Sequence, residues 1–211
     1  WDKYPVEQVA TPEGYARNPE QVINFYNERR KQLLDVVPNA GHLGVADLER
    51  DFNVTVVTQN VDNLHERAGS THVIHLHGEL TKVCSSRDPY NPHFVKELAP
   101  EEYEVKLGDK AGDGTQLRPF IVWFGESVPE IETAIRYVEQ ADIFVIIGTS
   151  LNVYPAAGLL NYVPRAAEVY LIDPKLVDTH VMRPIHVIQK GASEGVKELK
   201  ALLTVTQPPL P

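Results

Sequence analysis

The chain has 211 residues, 43% of them hydrophobic and 23% charged, a balance that excludes a disordered polymer and leaves room for one sizeable core. A formal net charge of −9 argues against non-specific affinity for phosphate backbones, so no nucleic-acid partner is expected. Cys84 is the only cysteine, which rules out an internal disulfide, and no apolar run approaches the ~20 residues needed to span a bilayer.

In chain order, Trp1 to Glu13 is rich in proline and charge and gives no periodic signal. Asn18-Pro19-Glu20 is a helix start: a capping amide, proline at the first helical position, then an acid. Val22, Ile23, Phe25, Tyr26, Leu33 and Leu34 supply its apolar positions, and Asn39-Ala40-Gly41 opens a second helix through Leu43, Val45 and Leu48. From Asn53 the pattern changes to apolar runs VTVV, VIHL, FIVWF, IFVII and VYLI, without clean alternation, as strands covered on both faces require. Helices are expected between them, near Val128-Pro129, Tyr154-Pro155 and Ser193. This alternation predicts an α/β fold with a Rossmann-like, doubly wound parallel sheet. Lys82 to Leu117 interrupts the rhythm with Pro89, Pro92, Pro100 and the stretch Gly108 to Gly114, and reads as an inserted lobe outside the sheet. The expected division is therefore 38–81 with 119–211 as the Rossmann-like domain, and 1–37 with 82–118 as a smaller domain. The only low-complexity tract is the tail Gln207 to Pro211.

Two of the runs end in groups fit for chemistry. The first leads into Thr58-Gln59-Asn60-Val61-Asp62-Asn63-Leu64-His65-Glu66-Arg67-Ala68-Gly69, the second into His75-Leu76-His77-Gly78. Ligands of open parallel sheets bind outside the carboxyl ends of the strands, where such groups converge. Taken alone, Asn60 and Asp62 fit an Asx turn and helix cap, and a lone histidine is more often a core or cap residue. An imidazole is nevertheless the natural general base near neutral pH. Gly148-Thr149-Ser150 makes a strand-to-loop turn whose hydroxyls and amides suit phosphate or ribose. Asp173, ending VYLI, is placed to accept from ribose hydroxyls. Tyr26 and Arg29, three apart on a helix, share a face, and Arg29 offers a fork matched to a carboxylate.

The long motif, HLHG and GTSLNVYPAAGL together closely resemble the sirtuins, NAD-dependent protein lysine deacylases. The resemblance implies NAD as cofactor, with Gln59, Asn60 and Asp62 lining the pocket for its nicotinamide end. It picks out the histidine before glycine, His77, as the base, leaving His75 the weaker candidate and His65 structural. It adds Gly148, Thr149, Ser150 and Asp173 to the nucleotide site, although asparagine is common at the last position. Ala192, within Gly191-Ala192-Ser193, belongs to the final loop that packs on adenine. Val122-Trp123-Phe124-Gly125-Glu126 and Asn152-Val153-Tyr154 form the two sides of a groove that pairs with an extended substrate peptide. Trp123 and Phe124 can also be plain core aromatics. The FYNERR segment resembles the class that recognises succinyl-, malonyl- or glutaryl-lysine, with Tyr26 adding a phenolic donor to Arg29, so acidic acyl groups are expected and acetyl is not excluded.

Two departures stand out. Sirtuins usually hold a structural zinc on two CxxC pairs in the lobe; here Lys82 to Leu117 contains Cys84 alone, and His93 does not complete a set of about four ligands. No metal is expected, with the lobe held by its own small apolar contacts. The family's glycine-rich pyrophosphate loop, of GAGxSxxSGIPxFR type, also has no match, and the expectation is that the natural protein carries such a segment before Trp1. A chain without it would bind NAD poorly.

In the family's reaction the acyl oxygen attacks the ribose anomeric carbon and expels nicotinamide, the histidine removes a ribose hydroxyl proton, and water releases lysine and O-acyl-ADP-ribose. Two alternatives use the same pocket: protein ADP-ribosyl transfer, and a non-catalytic NAD or ADP-ribose binding module. Retention of His77, Asn60 and Asp62 weighs against the second, since binding alone needs no base. Acylated-lysine proteins are the expected partners, with no membrane association. The protein is expected to be a monomer in the cytoplasm, since the lone cysteine fits a reducing compartment and the start shows no secretory pattern.

Overall fold

A computed structural model describes residues 3–149, 156–175 and 181–205. Its elements run α1 (Val6–Val9), α2 (Pro12–Arg17), α3 (Pro19–Leu34), α4 (Ala40–Asp47), β1 (Val56–Thr58), α5 (Leu64–Arg67), β2 (Val73–His75), β3 (Gly78–Ser85), β4 (Lys96–Glu97), β5 (Leu117–Ile121), α6 (Ile131–Val138), β6 (Ile143–Ile147), β7 (Glu168–Ile172), β8 (His186–Ile188) and α7 (Ala192–Val205). A 3-10 helix at Ala156–Tyr162 stands where an α-helix was expected to begin near Tyr154-Pro155. No helix among the described residues is long and apolar enough to cross a membrane.

The chain forms two compact units, one of Trp1–Val36, Thr58–Asn63 and His75–Pro129, the other of Val37–Val57, Leu64–Ile74 and Glu130–Pro211. The cuts differ from the expected boundaries: residues 58–63, 75–81 and 119–129 join the helical part and lobe. The cause is the pairing of β3 with β5. The run FIVWF, expected in the parallel sheet, instead contributes to β5, which runs antiparallel to β3, with Gly78 opposite Ile121 and Ser85 opposite Leu117. β4 closes the other side of β3, so the lobe carries a three-stranded sheet of its own.

In the first unit α3 starts as its sequence requires. The Asn18 side chain accepts from the Gln21 amide at 3.1 Å, and Pro19 occupies the first turn. Its apolar face buries Val22, Phe25 and Tyr26 against Val9, Leu80, Ile121 and Trp123, and Ile23 against Val83 and Val105. Two polar residues are buried on the same helix. Asn27 exchanges both hydrogen bonds with the Val105 backbone, at 2.8 and 2.9 Å, and Arg30 donates to the Tyr103 carbonyl at 2.7 Å. Burial brings the Arg30 pKa down to about 10, so it stays charged at neutral pH. These bonds tie the lobe backbone to α3.

In the second unit β6, β7 and β8 form a parallel sheet, in register from Ile143 opposite Glu168 to Ile147 opposite Ile172, and from Tyr170 opposite His186. Leu48, Tyr170, Ile172, Ile188, Val196, Leu199 and Leu203 make its core. Gly195 lets α7 lie directly on Ile172, where a Cβ would clash with that side chain.

Candidate active site

The ends of β1 and β2 meet. Val56 N–H donates to the His72 carbonyl and Leu76 N–H to the Thr58 carbonyl, both at 3.0 Å, so the pairing advances in one direction along both segments. Beyond Thr58 the chain turns outward. The Asn60 N–H bonds the Thr58 hydroxyl at 3.0 Å, and the Leu80 N–H bonds the Val61 carbonyl at 2.7 Å. Asn60 is exposed, Gln59 and Asp62 half-buried.

Both imidazoles reach into this turn. Nδ1 of His77 lies 3.2 Å from the Gln59 carbonyl, and Nδ1 of His75 3.2 Å from the Asn60 carbonyl. A carbonyl oxygen only accepts, so each Nδ1 carries the hydrogen, and in a neutral ring the lone pair is left on Nε2. Burial lowers the His77 pKa below 6.5, against a smaller upward effect of its Gln59 bond. The ring is thus neutral at physiological pH with Nε2 basic. Gly78, at φ 86°, follows immediately; its Cα faces the Phe120 carbonyl and Ile121 too closely for any side chain.

The Val122–Glu126 segment is joined directly to His77, since Val122 N–H donates to the His77 carbonyl at 2.8 Å. Phe124 N–H reaches the Ala10 carbonyl at 3.0 Å, and Gly125 takes φ 88°. Underneath is a buried ion pair. Arg118 donates from Nη1 and Nη2 to the two Glu126 oxygens at 2.9 and 3.0 Å, and from Nη2 to the Ile121 carbonyl at 2.7 Å. Glu126 also accepts the Trp123 N–H at 2.8 Å, while the Arg118 guanidinium stacks 3.8 Å from the Trp123 ring centroid. Trp123 is a core residue, 2% exposed, whereas Phe124 is 60% exposed and free to contact a ligand.

Tyr26 differs from expectation. Its phenol donates to the Val9 carbonyl at 2.9 Å and accepts from Trp123 Nε1 at 3.0 Å. Burial drives its pKa up to about 12. The one phenolic hydrogen is thus already given to the backbone, and Tyr26 frames the site instead of offering a spare donor. Arg29 is half-buried over the Phe25 ring, 4.6 Å from its centroid, and donates one N–H to Gln32 at 2.9 Å.

Gly148, Thr149, Asp173 and Ala192 lie in the second unit. Gly148, at φ 61°, ends β6 with its N–H on the Ile172 carbonyl at 3.0 Å, so it neighbours Asp173 across the parallel pair. The Asp173 carboxylate accepts the Lys175 N–H at 2.7 Å, which fixes its orientation at the strand end. Thr149 and Ala192 are half-buried, the latter opening α7. Ser150, Asn152, Val153 and Tyr154 lie outside the described residues.

In the lobe, burial pushes the Cys84 thiol up to about 12, which disfavours the thiolate that a metal would require. The next residue organises a polar cluster. Ser85 donates to Asp113 at 2.6 Å and accepts the Arg87 and Asp88 N–H groups at 3.0 Å, and Thr115 also donates to Asp113 at 2.6 Å. No sequence motif announces this cluster, the Arg118–Glu126 pair or the role of the Thr58 hydroxyl. Opposite charges flanking FIVWF were the one available signal for the pair.

The described geometry thus brings two imidazoles to the turn that carries Asn60 and Asp62, and comparison with known proteins gives the class. The Sir2 family pattern matches residues 1–155, and the chain belongs to that family. An NAD-dependent protein deacylase of Bacteroides thetaiotaomicron is 83% identical over 203 residues, covering 96% of this chain and 87% of its own. One from Helicobacter pylori strain 26695 is 46% identical over 199 residues, covering 94% and 84%. A solved Sir2 homologue–NAD complex superposes with TM-score 0.81 at 37% identity, covering 97% of this chain and 80% of that one. A Sir2–p53 peptide–NAD+ complex gives 0.73 at 27% identity, covering 92% and 82%.

Proposed function

We propose that this chain, an NAD-dependent protein deacylase, removes succinyl and malonyl groups from lysine, accepts acetyl as well, and yields nicotinamide and O-acyl-ADP-ribose. The observation that carries the reaction is the His77 ring, its Nδ1 held 3.2 Å from the Gln59 carbonyl. The donor set suits NAD: Asn60 and Asp62 present an amide and a carboxylate for nicotinamide, and Gly148 and Asp173 stand at adjacent strand ends for ribose and phosphate. NAD supplies the ribose that loses nicotinamide and then accepts the acyl group. His77 Nε2 takes the proton of a ribose hydroxyl, and Asn60 and Asp62 orient nicotinamide and the water that completes the reaction. The Val122–Glu126 backbone takes the extended peptide, and Phe124 covers the acyl-lysine and excludes bulk water.

The acyl preference rests on Arg29. A guanidinium carries five N–H donors and Gln32 takes one, so the fork can clasp a terminal carboxylate. We read the lobe as closed by the Ser85–Asp113–Thr115 cluster and by Ile23, Val83 and Val105 instead of zinc. A monomer acting in the cytoplasm, on proteins bearing acylated lysine, completes the proposal.

The test mixes the full-length protein with NAD and one of three otherwise identical acetyl-, malonyl- or succinyl-lysine peptides, with products read by mass spectrometry. Nicotinamide and O-acyl-ADP-ribose should form, faster from the two acidic peptides. ADP-ribose attached to the peptide would point to a transferase, and a clear acetyl preference would remove Arg29 from its role.

A further inference from the structure

We propose that His75 is a positioning residue: its Nδ1–H holds the Asn60 carbonyl and so fixes the turn that presents Asn60 and Asp62. The proposal rests on the deacylase reading above and deepens it. His75 ends β2 and His77 follows two residues on, in the turn before β3, and both rings turn to the segment after β1. They engage consecutive carbonyls of the facing segment, Asn60 and Gln59, each at 3.2 Å. Asn60 is thereby held at both ends of its own backbone, since its N–H bonds the Thr58 hydroxyl at 3.0 Å. The holder is buried, 8% exposed, while the held residue is exposed on an anchored main chain. An imidazole in that burial is stable because its N–H has a partner; leucine there would fill the space and release the turn.

Asparagine and glutamine separate the hydrogen bond from mere packing. The asparagine amide nitrogen stands as many bonds from the backbone as Nδ1, and the glutamine nitrogen as many as Nε2. His75→Asn should therefore restore the bond to Asn60, and His75→Gln should not. In the full-length protein, His75→Leu and His75→Gln should lower kcat for nicotinamide release about tenfold, the worth of one ordinary hydrogen bond expressed in rate. The KM for nicotinamide in base exchange should rise in parallel, and His75→Asn should recover to within about threefold of wild type. The KM for acyl-peptide should not move, because the Val122–Glu126 segment is hydrogen-bonded to the His77 backbone. All rates are taken per folded molecule. Should His75→Leu fail to fold, the Asn–Gln comparison carries the test alone. Equal impairment of the Asn and Gln variants, wild-type rates in both, or a peptide KM that tracks kcat would overturn the proposal. His77→Ala is the control: wild-type turnover there removes the deacylase reading itself, whereas an inactive His77→Ala beside unimpaired His75 variants removes only this assignment.

Discussion

Replacing Arg118 with methionine strikes the support beneath the Val122–Glu126 segment. Both partners of its pair are buried, with side chains 5% and 14% exposed for Arg118 and Glu126. Methionine fills most of the stem's volume but leaves the Glu126 carboxylate with the Trp123 N–H and no countercharge, and the Ile121 carbonyl without its donor. Stripping one member from a buried pair costs about 3–5 kcal/mol. Adding Glu126→Gln removes the stranded charge, so the double variant should recover roughly half of that loss. Urea unfolding followed by tryptophan fluorescence measures both, provided the denaturant slope stays constant. The single variant should also raise the KM for acyl-peptide, since Glu126 anchors the Trp123 N–H. A cost under about 1 kcal/mol for Arg118→Met, or a double variant as unstable as the sum of the singles, would refute the reasoning.

Arg29→Met should lower kcat/KM for a succinyl peptide about tenfold to a hundredfold, the range of a charge-assisted hydrogen bond, and leave the acetyl peptide nearly unchanged. Equal losses on both would contradict its role. The acid limb of kcat/KM should fall below 6.5, because burial lowers the His77 pKa. The same shift favours the neutral ring on folding, so its share of stability is present above 6.5 and lost as pH drops through the lower folded value. A limb above 6.5 would oppose that account. Hydrogen bonds from Ser85 and then Thr115 hold Asp113 at about 2, against 3.8 unperturbed, so its contribution is present above 3.8 and lost as pH falls toward 2. Asp113→Asn should lower Tm at neutral pH and flatten its acid dependence there, and a chelator should leave Tm unmoved; an unchanged acid slope in the variant would count against the cluster.

The helix and strand signals were readable where they are local. Asn18-Pro19 capped α3 as its chemistry dictates, IFVII and VYLI became paired parallel strands, and the histidine before Gly78 met the turn after β1. FIVWF misled because an apolar run reports burial and not strand direction; its partner, β3, was hidden in a polar segment. Asn27 and Arg30 look like surface residues of a helix until the lobe backbone is folded over them. The Tyr26 phenol illustrates the same limit: the three-residue spacing to Arg29 was visible, but the Val9 carbonyl that takes its hydrogen lies 17 residues away.

The measurement that bears most directly on the account is deacylation by His77→Ala in the full-length protein, under single-turnover conditions with saturating NAD and succinyl-peptide. The variant should fold and bind peptide as wild type does, while lysine release slows by about 10²–10⁴-fold, the usual share of a general base. Release at the wild-type rate from folded His77→Ala would mean that the proton leaves by another route, and that the imidazole held on the Gln59 carbonyl is not the base.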